Sequence, residues 1–233
     1  MHSFRSLFGV TPSNIKKTCL ITPFLSRGVL DGLGISNISK GMLYACGTNR
    51  RFGLISTYMG AGFVGDAVLY LKETPCERLF FFGSCGAVRD DKKLGIGTLG
   101  IVSRAISQDS FVNTLLNRKP SHIFYPDKKL AARVEKESGS VPLTCLSLSS
   151  LKLEEDYLDF LDDASIDVVD MEAAVFLAAA RFISRPALPL VFISDILKSR
   201  PYYRSLPGRG KPEIRDIARK VFRIISLAER MDK

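Results

Sequence analysis

Short apolar runs separated by polar, glycine- and proline-bearing joints recur along this 233-residue chain. The runs Thr18 to Thr22, Met42 to Ala45, Phe52 to Tyr58, Leu79 to Phe82, Thr98 to Ile106, Val141 to Leu146, Ile166 to Val169 and Leu188 to Ile193 predict strands. Helical periodicity predicts helices over Val64 to Glu73, Glu154 to Leu161, Glu172 to Ser184 and Pro212 to Arg230. The last places Ile214, Ile217, Ala218, Val221, Ile224, Ile225 and Ala228 on one face, with Pro212 at its start. Strands alternating with helices predict an α/β chain, a three-layer α/β/α sandwich around a twisted, mixed and mainly parallel sheet. No linker, internal repeat or low-complexity segment divides residues 1–233, so a single domain is expected.

Composition narrows the class. The chain is 46% hydrophobic and 24% charged, as soluble globular proteins are. No apolar run approaches the roughly 20 residues of a membrane span. The longest, Ala173 to Ala180, is bounded by Glu172 and Arg181 and fits a buried helix. Met1 to Val10 lacks the apolar segment of a secretory signal, and five cysteines show no paired spacing. With only His2 and His122 beside them, no metal site is expected, and free thiols point to a cytoplasmic protein. The net charge of +9 is uneven: Ile196 to Lys233 carries eleven basic and four acidic residues. A basic tail can mark nucleic-acid binding, but here the basic residues fall on an amphipathic helix pattern. A solvated helix face is the preferred reading, and nucleic acid is not expected as a partner.

Four segments carry candidate chemistry. Gly83-Ser84-Cys85-Gly86 follows the apolar run Leu79 to Phe82 and reads as a small loop at the end of a buried strand, where open α/β sheets bind ligands. A tight turn explains it as well. Asp195 follows Leu188 to Ser194, so it lies at the carboxyl end of a strand, where partial burial suits a general acid; a cap or turn role is the alternative. Glu172 opens the apolar helix from Ala173, where unpaired amides favour a fixed, ionised acceptor for a diol, or simply a first-turn charge. Met59-Gly60-Ala61-Gly62 joins a strand to a helix and either faces a sugar or anion or merely turns the chain. Gly95-Ile96-Gly97-Thr98-Leu99-Gly100 matches GxGxxG, but it runs into a strand rather than a helix, so no dinucleotide cofactor is expected.

In this order the pieces resemble the nucleoside phosphorylase family, which includes purine nucleosidases, and most nearly its bacterial hexameric purine nucleoside phosphorylases. The resemblance runs from about Thr11 to Arg230. It rests on Gly83-Ser84-Cys85-Gly86-Ala87-Val88, Val169-Asp170-Met171-Glu172-Ala173-Ala174 and Ile193-Ser194-Asp195. Lys40-Gly41-Met42-Leu43, Met59-Gly60 and Thr11-Pro12-Ser13-Asn14-Ile15 add support. It implies cleavage of the N-glycosidic bond of a purine-type nucleoside without a cofactor. Asp195 would serve the N7 side of the leaving base, Glu172 would hold the ribose hydroxyls with Met171 packed on the sugar, and Ser84 would face the nucleophile. Asp170, Met59, Gly60, Gly83, Cys85, Gly86 and Ser194 would line the substrate site. A homo-oligomer, dimer or hexamer, is implied, with Lys40 reaching a neighbouring subunit.

The departures bear on the acceptor. Phe81 stands where the phosphorylases carry an arginine two residues before the motif glycine. Their phosphate loop survives only as Thr22-Pro23-Phe24-Leu25-Ser26-Arg27, and Lys40 replaces a second phosphate-binding arginine. Lysine keeps the charge but loses the bidentate fork. Ser84, Lys40 and Arg27 are the remaining phosphate candidates, and water is favoured as acceptor with phosphate as the alternative co-substrate. Ser13 replaces a histidine that reaches the 5′-hydroxyl, and Ser150 and Leu151 fall near the base-stacking aromatic, leaving Phe111, Tyr157 or Phe160 to supply it. A homologue that binds nucleosides without turnover is the other reading.

Overall fold

A computed structural model describes residues 2–91, 93–107, 122–150, 161, 165–201 and 213–229. Among them ten strands run in chain order: β1 Thr18–Thr22, β2 Ile38–Lys40, β3 Ala45–Thr48, β4 Gly53–Ser56, β5 Arg78–Ala87, β6 Leu99–Ser107, β7 His122–Phe124, β8 Val141–Ser147, β9 Val168–Asp170 and β10 Ala187–Ile196. The α-helices are α1 His2–Phe8, α2 Arg27–Leu33, α3 Ala61–Tyr70, α4 Lys128–Ser138, α5 Ala173–Phe182 and α6 Ile214–Glu229.

The strands form one mixed sheet, with the arm β2-β3-β4-β1 joined to β5. β5 also pairs with β10 in parallel and with β9 in antiparallel sense. Because β10 pairs β6, β6 pairs β8 and β8 pairs β9, these strands close a ring through β5. Side chains alternate across the sheet, so each strand feeds two cores. Cys19, Ile21, Phe81, Val191 and Ile193 pack with α3 and α5 on one face. Leu20, Leu54, Phe80, Phe82, Leu188, Leu190 and Phe192 pack with α2, α4 and α6 on the other. This is the three-layer arrangement that the pattern predicts. α6 buries the expected stripe of Ile217, Ala218, Val221, Ile224, Ile225 and Ala228.

Several local expectations are revised. Met42 and Leu43 are exposed in a turn between β2 and β3, not in a strand. Apolar content alone misled there, because Gly41 and the pairing of Ile38 with Gly47 fix a hairpin instead. The run at Leu79 does not stop at Phe82: β5 continues through Gly83-Ser84-Cys85-Gly86 to Ala87, so the predicted loop is strand. α1, α2, α4, β2 and β7 have no counterpart in the sequence pattern; α4 buries only Leu130 and Val134, too sparse a stripe to register. The helix expected over Glu154 to Leu161 lies outside the described residues except for Leu161.

Candidate functional site

β1, β4, β5 and β10 run parallel, so their carboxyl ends share one edge of the sheet. Along β5 the side chains of Phe80, Phe82 and Ser84 face the α2/α6 side, with Phe82 closing the floor beneath Ser84. Ser84 is half-buried, and its hydroxyl has no hydrogen-bond partner among the described residues. Phe24, just past β1, packs edge-on against Phe82 at 5.3 Å and Phe192 at 6.0 Å.

The placement of Asp195 depends on a bulge. Phe192 pairs with Ser84 and Ile193 with Cys85, but the next partner of Gly86 is Asp195, with Ser194 as the extra residue. A one-residue shift exchanges the faces of a strand. Without it, Asp195 would follow Val191 and Ile193 into the α3/α5 core. With it, Asp195 joins the face of Ser84 and Gly86. A Cβ built at Gly86 would lie 3.2 Å from Asp195 Oδ2 and 2.5 Å from Leu197 Cδ2, so only glycine leaves room there. Ser194 Oγ lies 2.6 Å from Asp195 Oδ1 and 3.1 Å from the Cys85 carbonyl oxygen, tying the carboxyl to β5. Cys85 itself is buried, its Sγ 3.4 Å from the Phe192 carbonyl oxygen.

Glu172 stands at the N-cap position of α5 and is only 3% exposed, but its side chain does not bond the first-turn amides as the sequence suggests; Ala173 N and Ala174 N go to Asp170 and Ser147 instead. Glu172 Oε1 accepts a hydrogen bond from Gly60 N at 2.7 Å. Gly60 has φ of 113°, a conformation that favours glycine, so the loop after β4 and the end of β9 are locked together by this pair. Met59 is 60% exposed beside it, and Met171 is half-buried.

Asp170 is turned inward. Its Oδ1 accepts from Ser147 Oγ at 2.6 Å and lies 3.3 Å from Cys145 Sγ, and its Oδ2 accepts from Ala173 N at 2.7 Å. Ser147 Oγ in turn accepts from Ala174 N at 3.0 Å. Burial pushes the Asp170 carboxyl above its ordinary range, opposed by these hydrogen bonds. Burial likewise raises the Cys145 thiol, with Asp170 adding to it. This network anchors the first turn of α5, and with it Glu172. Ser147 carried no signal in the sequence.

Asp195 and Ser84 thus share one face of β10 and β5, and Glu172 follows β9, the strand on the other side of Gly86. Gly86 pairs with Asp195 on one side and Val169 on the other. At 4.7–4.9 Å per strand step, Asp195 and Val169 lie about 10 Å apart across β5. The phosphate candidates are more scattered. Phe81 is fully buried on the opposite face from Ser84, its ring 5.5 Å from that of Phe176. Gly83 lies on that same face, where a Cβ would meet the Phe81 ring at 2.4 Å. Arg27 is 95% exposed and lies 4.0 Å from Asp31, and Lys40 is exposed at the end of the edge strand β2. Ser13 is exposed in a short turn, its Oγ 3.0 Å from Thr11 Oγ1. Phe111, Leu151, Tyr157 and Phe160 lie outside the described residues.

Comparison with known proteins gives a consistent picture. The chain is 28% identical over 180 residues to the DeoD-type purine nucleoside phosphorylase of Aliivibrio salmonicida, covering 70% of this chain and 75% of that one. It shares the fold of AMP nucleosidase from Bacteroides thetaiotaomicron, with TM-score 0.77 and 17% identity over 100% and 96% of the two chains. It also shares the fold of uridine phosphorylase from Vibrio fischeri, with TM-score 0.75 and 16% identity over 96% and 95%. The family model described as the phosphorylase superfamily matches residues 34–204, and the chain belongs to that superfamily.

Proposed function

We propose that this chain cleaves the N-glycosidic bond of a purine-type nucleoside, with water as the favoured acceptor. The observation that carries the reading is the bulge at Ser194, which brings Asp195 onto the face of Ser84 and Gly86. Asp195 serves the leaving base as proton donor. Ser194 has one hydroxyl proton and two oxygen neighbours. Ionised Asp195 takes that proton as a hydrogen bond. Protonated Asp195 donates its own to Ser194, whose proton then turns to the Cys85 carbonyl. The carboxyl is therefore held in both states that a general acid visits.

Glu172, fixed by Gly60 N, places negative charge where the ribose hydroxyls and the developing oxocarbenium charge would sit. As the bond to the base breaks, its electron pair leaves with the base, which takes the Asp195 proton. The water beside Ser84 bonds to C1′ and releases a proton, so the carboxyl is restored over the cycle. Met171, Met59 and the main chain at Gly83 and Gly86 line the substrate, Cys85 packs into the α3/α5 core behind them rather than facing the sugar, and Asp170 acts through the seating of Glu172.

Water is favoured because the phosphate-binding charges are displaced. Phe81 puts an apolar ring into the core where the related phosphorylases carry an arginine, and the Arg27 side chain is turned to solvent. Each charge-assisted bond lost to a dianion removes about 1.5–3 kcal/mol. The purine preference draws on the DeoD-type relative, because the fold alone is shared with a uridine phosphorylase. The chain would work as a cytoplasmic homo-oligomer. Exposed Met42, Tyr58, Met59 and Phe63 supply apolar surface, and all five cysteines are free. Incubating the protein with a nucleoside panel, with and without phosphate, tests the reading. Phosphate-independent release of purine bases supports it, strict phosphate dependence makes it a phosphorylase, and binding without release makes it a non-catalytic homologue.

A further inference from the structure

The glycine-rich stretch that fails as a dinucleotide fingerprint forms one wall of a cleft of about 750 Å³. The opposite wall is α6, and the end of α4 with the start of β8 closes the third side. That volume lies within the usual range for small-molecule sites. Two cations line it, Lys220 and Arg223, three residues apart and so on one helix face. Neither has an ion-pair partner among the described residues. Their helix neighbours differ: Arg219 bonds Asp216 at 2.9 Å, and Arg215 lies 3.6 Å from Glu213. The acid on the lining, Glu137, is already bonded to Arg133 at 2.8 Å. The hydroxyls of Ser138 and Ser140 are bonded to each other at 2.6 Å and, through Ser138, to the Val134 carbonyl, while Ile96, Leu99 and Leu227 bring apolar surface.

The loop contributes shape rather than an amide cradle. Gly97 N donates to the Ile193 carbonyl and Thr98 N to the Gly95 carbonyl, so these donors are engaged. A Cβ at Gly95 would meet nothing within 4 Å, which leaves that side open. Unpaired cations facing an apolar wall suit an anion that carries a flat apolar part. We propose that this cleft binds a ligand of the mononucleotide class, with its phosphate on Lys220 and Arg223 and its ring against Ile96, Leu99 and Leu227.

The test uses the full chain carrying Asp195→Asn and Glu172→Ala, so that the candidate catalytic site contributes neither turnover nor its own carboxylates. Equilibrium dialysis compares adenosine 5′-monophosphate, adenosine and inorganic phosphate, before and after adding Lys220→Gln and Arg223→Gln. The expected result is that the monophosphate binds at least about tenfold more tightly than adenosine or phosphate. The glutamine changes should weaken it about tenfold or more, as the loss of one or two charge-assisted bonds predicts, with an unchanged thermal midpoint. No binding, or monophosphate affinity indifferent to the glutamine changes, overturns the proposal. Equal affinity for phosphate and the monophosphate overturns the mononucleotide assignment.

Discussion

Replacing Asp170 tests whether the seating of Glu172 depends on a buried carboxylate. Asp170→Ala removes the acceptor for Ala173 N and for the Ser147 hydroxyl, both buried. Each orphaned donor costs about 1–3 kcal/mol. Part of this is regained, because a carboxylate with a desolvation penalty is also removed. The expected loss is about 2–4 kcal/mol, and a chain of this size loses about 2–4 °C of Tm per kcal/mol. The titration gives a second readout. The native Asp170 carboxyl is raised, so the native state favours its protonated form. That contribution to stability is fully present below the unfolded aspartate value of about 4, and it is lost as pH rises through the raised native value. Asp170→Asn keeps the shape and removes the titration, so the advantage of the parent protein over this variant should shrink as pH rises from about 4. Urea unfolding of parent, Ala and Asn variants across that range measures both effects. An Ala variant as stable as the parent, or an Asn variant with an unchanged pH slope, would refute the reasoning.

Three further substitutions probe the site. Gly86→Ala pushes a methyl group against Leu197 and Asp195 Oδ2, so base release should fall while the unfolding free energy drops by about 1–3 kcal/mol; an unaffected rate would mean that Asp195 is not seated against Gly86. Phe81→Arg should fail to create phosphate dependence and should destabilise the fold by more than about 3 kcal/mol in urea unfolding, because the position is sealed against Phe176. Glu172→Gln keeps an acceptor for Gly60 N but loses the charge, so kcat/KM should fall about tenfold to a hundredfold with stability within about 1 kcal/mol. A stability loss matching the rate loss would assign Glu172 a structural role instead.

The sequence pattern made the layers and the three candidate motifs legible because each is local. The stripe on α6 and the apolar run of β10 follow from period and burial, and Asp195 and Glu172 announce themselves as acids next to apolar elements. What it could not show is set by pairing between distant segments. The bulge at Ser194 exists only relative to β5, Ser147 matters only because β8 lies beside β9, and Gly60 meets Glu172 across 112 residues. The tetrapeptide Gly83 to Gly86 was misread as a loop for the same reason. Its glycines answer the Phe81 ring, Leu197 and Asp195, contacts that a linear reading does not contain.

The role of Asp195 is tested most directly by comparing two leaving groups. A purine riboside needs a proton on its departing base, whereas a 4-nitrophenyl riboside departs as a stable anion. Release from each is followed for the parent and for Asp195→Asn. Loss of general acid catalysis predicts a fall of about 10²–10⁴-fold on the purine riboside with little change on the nitrophenyl riboside. Equal losses on both substrates, or no loss on the purine riboside, would contradict Asp195 as the proton donor.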